Sequence, residues 1–146
     1  MSESLWKVKS FVTPDVVSPI DIIREQCAIL NQMTEGKIIG RVISYDRESS
    51  QLKYEDKFYF QFFLTSQATP RYKFRVCYME HGIAQYPVYF ALDTDIASEL
   101  GSGCKEIYVK NEEVFRARLS DILNSKKMEK VITNLLAFNV EQKGVS

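Results

Sequence analysis

The chain has 146 residues, a length typical of one domain that buries a hydrophobic core of its own. With 45% hydrophobic and 26% charged residues, its composition is that of a globular protein and excludes an intrinsically disordered one. Nineteen Lys and Arg residues balance nineteen Asp and Glu residues, so the net charge provides no long-range attraction to nucleic acid or to an anionic membrane.

The cysteines and the apolar runs bear on the environment of the protein. Cys27, Cys77 and Cys104 are widely spaced and include no C-x-x-C pair, so the sequence indicates neither a disulfide framework nor a zinc ribbon. No basic region followed by an apolar run opens the chain, so no secretory signal is expected. The apolar runs are far shorter than the ~20 residues of a membrane helix. We expect one cytoplasmic domain over residues 1–146, without contact to a membrane.

The first predicted elements are an N-terminal segment and a helix. Residues 5–12 alternate as in a short strand or an extended arm. Ser18-Pro19 is typical of a helix start, with a capping hydroxyl and a proline at the first helical position. Apolar residues then recur at helical spacing on a wide face up to Gly36, which is well placed to end the helix in the left-handed conformation.

The central part of the chain is predicted to be β-structure. Hairpin-length links separate the strands, apart from a helical turn at Thr94-Asp95 before the last one. Residues 46–56 are polar and indicate a hairpin-like connection. The predicted strands cover residues 37–45, 57–66, 71–79, 86–92 and 105–110.

Two helices are predicted at the C-terminal end. Asn111 caps the first of them, and the apolar stripe changes phase near residues 124–125, which indicates a break. Together the elements predict an α+β fold, an antiparallel β-meander of four to five strands packed with an N-terminal helix and two C-terminal helices.

This predicted order resembles the general outline of ubiquitin-conjugating and related domains. Tyr86-Pro87 falls where such folds place a Tyr-Pro pair. The asparagine-bearing motif that precedes the catalytic cysteine of those enzymes is absent from this sequence. The resemblance concerns topology alone and implies no activity and no site residue.

Aromatic residues are concentrated in the predicted sheet, with twelve of the eighteen between residues 54 and 90. In the strand 57–66 every second residue from Phe58 to Leu64 is apolar and is predicted to face a core. The residues between them face the opposite side and include Tyr59 and Phe63.

The strand 71–79 repeats this alternation. Its predicted core set is Tyr72, Phe74, Val76 and Tyr78. The set on the opposite side is Arg71, Lys73, Arg75 and Cys77. If the turn at residues 67–70 sets the expected register, the cations of this strand lie beside the aromatic residues of its neighbour. A sheet face that only contacts water does not require two aromatic residues and three cations, so this composition indicates a further role for the face.

Three interpretations of this face, formed by Tyr59, Phe63, Arg71, Lys73 and Arg75, stay open. A helix covers it, and its aromatic residues are core. Alternatively it binds a protein, for which Tyr, Phe and Arg are favoured anchors. In the third interpretation single-stranded nucleic acid stacks its bases on the aromatic rings. Neutral net charge and the lack of an RNP-type motif make nucleic acid the least favoured partner.

Enzymatic interpretations find little support in the sequence. The single histidine, His81, lies in a predicted exposed turn and excludes a site with several histidines. Cys104 follows a Gly-Ser-Gly loop and is the only candidate for thiol catalysis. Asp93-Thr94-Asp95 is explained by helix capping without a bound cation. No phosphate-binding loop, serine-hydrolase motif or kinase motif is present.

A small basic cluster, Lys126, Lys127 and Lys130, is interpreted as a solvated helix end. The sequence therefore favours a small non-enzymatic module that binds a partner protein, of the kind found among immunity proteins, adaptors and defence or phage regulators, without a cofactor or a metal. The alternatives are an enzyme that uses Cys104 and a single-stranded nucleic-acid-binding protein.

Overall fold

The computed structural model describes residues 3–45, 57–101 and 106–144. The helices in these ranges are α1 (Pro19–Met33), α2 (Thr94–Glu99), α3 (Glu112–Leu123) and α4 (Lys126–Gly144). The strands in the same ranges are β1 (Ile38–Ser44), β2 (Phe58–Ser66), β3 (Phe74–His81), β4 (Val88–Leu92) and β5 (Glu106–Val109).

The five strands form one antiparallel sheet in which each strand pairs with the next one along the chain. Val42 of β1 lies opposite Phe62 of β2, and Tyr89 of β4 lies opposite Tyr108 of β5. This is the meander that hairpin-length links predict. The prediction of an α+β fold is confirmed.

Helix α1 begins where its sequence predicts and ends at Met33, where the C-cap Thr34 is followed by Glu35 with a φ of +53° and then by Gly36. The Ser18 side chain accepts a hydrogen bond from the amide of Asp21 at 3.2 Å, and Pro19 occupies the first helical position. Gly36 has a φ of +81° and donates its N–H to the carbonyl of Asn31 at 2.8 Å. Glycine adopts this left-handed conformation without a Cβ penalty, and the bond satisfies a carbonyl at the helix end.

A side-chain cap begins each of the two C-terminal helices. The Asn111 side chain accepts from the amide of Val114 at 2.9 Å and begins α3. The Ser125 hydroxyl accepts from the amide of Met128 at 3.2 Å and begins α4. Each cap satisfies an amide that has no partner inside its helix. The predicted break near residues 124–125 is confirmed.

One hydrophobic core lies between the sheet and the helices. Phe115 of α3 stacks on Phe90 of β4 with 5.3 Å between ring centroids. Every described helix places buried residues in this core, so none of these helices covers the other side of the sheet. We call the helix-covered side the inner face and the other side the outer face. The most deeply buried large residues of the core include Ile22, Ile23, Ile38, Phe62, Leu64, Met79, Phe90, Ile96, Phe115, Ile122 and Met128.

A β-bulge in β3 changes which residues reach the outer face. Phe62 lies opposite Cys77 and Phe63 lies opposite Arg75, so Val76 is the extra residue of β3. The alternation shifts by one position after Val76. Cys77, predicted on the outer face, is 1% exposed in the core, and Tyr78 takes the outer position instead. The strict alternation predicted for residues 71–79 is therefore wrong beyond the bulge, and Tyr72, predicted in the core, lies before β3 and is 48% exposed.

Some predicted boundaries also change. Residues 5–12 form no strand and lie exposed as an arm, and β3 begins at Phe74, after Arg71 and Lys73. The predicted connection 46–56 lies outside the described residues. None of the helices in the described ranges is both long and apolar enough to cross a membrane.

Candidate functional site

A row of tyrosines crosses the outer face from one edge of the sheet to the other. Tyr59 lies opposite Glu80, Glu80 opposite Tyr89, and Tyr89 opposite Tyr108. Tyr45, directly after β1, donates its N–H to the Tyr59 carbonyl at 3.1 Å and adds the fifth position. The antiparallel register therefore places four tyrosines and one glutamate side by side, although they come from five separate segments of the chain.

The rings of this row contact one another. The ring centroids of Tyr45 and Tyr59 are 5.9 Å apart, and those of Tyr89 and Tyr108 are 5.0 Å apart. Tyr78, in the next row, meets Tyr45 edge to face at 5.5 Å. Tyr89 and Tyr108 are 42% and 55% exposed, respectively. Edge-to-face and tilted pairs at these distances are favourable and hold the rings in place.

Four of these tyrosines line a pocket of about 140 Å³. Ala91 lies between Tyr78 and Glu106 in the sheet register, and its methyl group leaves the space that a larger side chain would fill. We call this cavity the tyrosine pocket. The outer-face residues that line it are Tyr45, Tyr59, Tyr78, Glu80, Tyr89, Ala91 and Glu106.

The other end of the outer face is basic. Arg41, Phe63 and Arg75 lie opposite one another on β1, β2 and β3. The Lys73 ammonium lies 5.0 Å from the centre of the Phe63 ring, and the Arg75 guanidinium lies 4.7 Å from that of Tyr78. We call Arg41, Lys73 and Arg75 the basic end. A cation over an aromatic ring is attracted by the negative face of the ring.

The structure brings Phe63, Lys73 and Arg75 together, whereas Tyr59 lies opposite Glu80 and not beside these cations, so the predicted arrangement is wrong for Tyr59. Tyr59 is half-buried, and Arg71, Lys73 and Arg75 are exposed. Phe63 is only 3% exposed, with Lys73 over its ring, so it does not have the partial exposure expected of a contact anchor. Arg71 belongs to the turn before β3 and not to the strand.

The tyrosine pocket was not predicted from the sequence, although part of the signal was present. Tyr89 and Tyr108 each stand between apolar residues of short strands, so strict alternation could have placed these two on the outer face. Tyr78 gave no such signal, because only the bulge at Val76 turns it outward. Pairing of Glu80 with Tyr59 and Tyr89 depends on the register, which the alternation pattern does not specify.

His81 differs from its predicted position in an exposed turn. It is 6% exposed, stacks on Phe60 with 5.4 Å between ring centroids, and is therefore a core residue at the end of β3. Its Nδ1 lies 2.8 Å from the carbonyl of Gly82, so Nδ1 donates in this contact. Its Nε2 has no hydrogen-bond partner within the described ranges. This buried position holds the ring by packing.

The cysteines that the structure describes are poorly suited to nucleophilic chemistry. Cys77 is fully buried and Cys27 is partly buried between α1 and β1. Burial raises the pKa of Cys27 from 9.0 to about 11, and burial raises the pKa of Cys77 further. The reactive form of a thiol is the thiolate, which a raised pKa depletes. Cys104, the candidate for thiol catalysis, lies outside the described residues.

We expect Cys27 and Cys77 to be alkylated slowly by iodoacetamide in the folded protein at neutral pH. Raising the pKa of Cys27 from 9.0 to about 11 lowers its thiolate fraction about a hundredfold, and burial also restricts access. Mass spectrometry of the peptides that contain the two residues measures the rate with and without urea. Equal rates in both conditions would contradict the burial of these thiols.

Asp93 and Asp95 have structural partners. The Asp93 carboxylate caps α2 by accepting from the amides of Asp95 and Ile96. Asp95 forms an ion pair with Lys127 at 2.7 Å, and this hydrogen bond lowers the pKa of the Asp95 carboxyl. The ion pair stabilises the folded state above the ordinary pKa of an aspartate. This stabilisation is lost as the pH falls through the lowered pKa of the Asp95 carboxyl. Within the described residues, no cluster of three or more His, Cys, Asp or Glu side chains has the arrangement of a metal site.

The basic cluster lies at the start of α4, where lysines oppose the helix dipole. Glu99 of α2 compensates for this unfavourable placement. Its two carboxylate oxygens accept from the amides of Lys126 and Lys127 at 2.7 and 2.9 Å. An anion at a helix N-terminus is favourable, and with the Asp95–Lys127 pair it fastens α2 to α4. The cluster therefore has a structural role in addition to its solvated surface.

Comparison with protein-family models, curated proteins and solved structures finds no match to this chain. The topological resemblance to ubiquitin-conjugating domains consequently assigns no family. The function has to be argued from the geometry of the outer face.

Proposed function

We propose that this protein acts without catalysis, by binding another protein through its outer face. The observation that carries the proposal is the unequal covering of the sheet. Every described helix packs on the inner face, whereas the outer face presents Tyr89, Tyr108 and three cations to solvent. Aromatic residues and arginine are the side chains that most often supply the binding energy of protein interfaces.

The layout of the outer face also supports a protein partner. Tyrosines held by ring contacts lose little conformational freedom on binding, which favours affinity. The tyrosine pocket carries Glu80 and Glu106, whereas Arg41 and Arg75 lie at the basic end. A face with adjoining regions of opposite charge selects a partner with the complementary arrangement and fixes its orientation.

The same arrangement disfavours single-stranded nucleic acid. A nucleic-acid groove combines base-stacking rings with cations that follow the phosphates. Here Glu80 lies between Tyr59 and Tyr89, so a strand stacked along the tyrosine row would carry its phosphates past a carboxylate. Electrostatic repulsion at this point makes a protein the better partner.

We further propose that the protein works as immunity proteins, adaptors and defence or phage regulators do, by occupying a surface of its partner. Such proteins require only a stable scaffold and one complementary face. The free thiols of Cys27 and Cys77 favour a reducing compartment, and the proposal places the protein in the cytoplasm.

Replacing Tyr89 or Arg75 by alanine is expected to weaken partner binding at least tenfold, or about 1.4 kcal/mol, because each removes an exposed anchor of the outer face. The partner is captured from the native host, identified by mass spectrometry, purified and titrated calorimetrically. The matched controls are Tyr72→Ala and Arg24→Ala, which remove exposed side chains outside the outer face.

Two outcomes oppose the proposal. If both outer-face variants keep full affinity while a control loses it, the partner binds elsewhere. If the captured molecule is a single-stranded nucleic acid, its affinity falls steeply and linearly with salt on logarithmic axes, whereas a tyrosine-anchored protein contact weakens only mildly.

A further inference from the structure

We propose that the tyrosine pocket receives a cationic side chain of the partner protein, a lysine or an arginine. The inference rests on the proposed function and names the chemistry of its contact. Two features of the pocket point to a cation as its occupant, the aromatic walls and the carboxylate between them.

The walls of the pocket suit a cation. Tyr45, Tyr59, Tyr78 and Tyr89 all contribute to its lining. Ring contacts join Tyr45 to Tyr59 and to Tyr78, and the Tyr89 ring contacts that of Tyr108 outside the pocket. The face of a tyrosine ring carries negative charge density, and several rings around one cavity add their attraction for a cation. Arg75 shows the same attraction in this protein, with its guanidinium 4.7 Å from the centre of the Tyr78 ring.

The carboxylate adds a full negative charge. Glu80 lies between Tyr59 and Tyr89 in the sheet register and is half-buried. A charge partly removed from water attracts a cation more strongly than one in bulk solvent. Glu106 lies on the other side of Ala91 and adds negative charge to the same lining. A neutral apolar side chain would remove water from the Glu80 carboxylate without supplying a cation in its place.

The size of the pocket fits such a side chain. One water molecule needs about 10–15 Å³ of cavity volume of this kind. The pocket, at about 140 Å³, accommodates an ammonium or a guanidinium together with several methylene groups. Ala91 provides this room, because its methyl group is the smallest side chain among the outer-face residues that line the pocket.

The basic end gives the direction of docking. A partner that places its cation in the tyrosine pocket brings the neighbouring part of its surface over Arg41 and Arg75. An acidic group there would complete the contact, since each cation would then oppose an anion. The inferred partner surface has a lysine or arginine with acidic residues to one side.

The test is an NMR titration of the intact ¹⁵N-labelled protein with three small probes. They are the N-acetyl methylamides of lysine, arginine and norleucine, and norleucine is the uncharged counterpart of lysine. We expect millimolar binding of at least one cationic probe, at least tenfold tighter than that of norleucine. Amides of residues 78–80 and 89–91 are expected to shift. The tighter of the two cationic probes indicates which residue the partner inserts.

Two variants locate the site. Glu80→Gln removes the charge with almost no change in shape, and we expect it to lower the affinity for the cationic probe at least fivefold. Ala91→Leu fills the pocket and is expected to abolish the binding. Glu25→Gln, at an exposed position of α1, is the control and is expected to bind as the unmodified protein does. The ¹⁵N spectrum of each variant shows that it is folded.

Equal binding of norleucine and the cations, or full binding by both pocket variants, would overturn the inference. If partner affinity depends on Tyr89 and Arg75 while no cationic probe binds the pocket, this inference fails and the proposed function stands. If the cationic probes bind the pocket but the partner binds the Tyr89 and Arg75 variants with unchanged affinity, the proposed function fails instead.

Discussion

Replacing Phe115 by alanine is expected to lower the free energy of unfolding by about 3–5 kcal/mol. The Phe115 side chain is 0% exposed, stacks on Phe90, and meets Tyr86 edge to face at 6.0 Å between centroids. Its removal loses the free energy of burying the ring and leaves a cavity between α3 and the sheet. Since a domain of this kind is stable by about 5–15 kcal/mol, this loss brings the variant close to unfolding.

Urea denaturation followed by circular dichroism measures the change. The control is Phe11→Ala, the same chemical change on the N-terminal arm, where Phe11 is 75% exposed and contacts Trp6. We expect the control to change stability by about 0.5 kcal/mol or less. Similar losses for both variants would contradict the placement of Phe115 in the core. Phe115→Leu, which keeps part of the buried volume, provides a folded variant if Phe115→Ala does not fold.

Replacing Gly40 by alanine is expected to lower the free energy of unfolding by about 2 kcal/mol. A Cβ at Gly40 would lie 2.7 Å from the Sγ of Cys27 and 3.2 Å from its Cβ, closer than packed atoms approach. Gly40 is thus the point at which α1 lies directly against β1. Overpacking a site of this kind costs about 1–3 kcal/mol, because the helix or the strand has to shift.

A double-mutant cycle tests the cause of this loss. In a Cys27→Ala background the nearest atom is gone, so Gly40→Ala is expected to be less destabilising by about 1 kcal/mol. Gly82→Ala is the matched control, since among the described residues the atom nearest to its added Cβ would be the Lys57 ammonium nitrogen at 4.0 Å. If Gly40→Ala destabilises equally in both backgrounds, contact with the Cys27 sulfur is not the reason.

Local signals in the sequence were sufficient for most of the fold. Ser18, Asn111 and Gly36 predicted helix ends because each contributes its capping group within a few residues of the chain. The phase change near residues 124–125 predicted the break before α4, because the spacing of apolar residues along a helix is also a local property of the chain. Short links between strands predicted the meander, since a short link leaves a strand only its neighbour as a partner.

The candidate site was predicted in part. Alternation placed Tyr59 and Arg75 on the outer face, because strand periodicity is a property of consecutive residues. The same rule placed Cys77 outward and Tyr78 inward, which is wrong, because the bulge at Val76 shifts the alternation. The Val76 carbonyl accepts from the amide of Asp93, at the start of α2. The bulge thus takes part in a contact between segments distant in the chain, which no local pattern contains.

By itself, the sequence determined the fold class, the helix ends and which residues of β2 face outward, since these follow from periodicity and caps within single segments. The tertiary structure decided that the described helices share one side of the sheet, and so which face these helices leave uncovered. It also decided that Tyr45, Tyr59, Glu80 and Tyr89 surround one pocket, because strand register joins residues that are far apart in the chain.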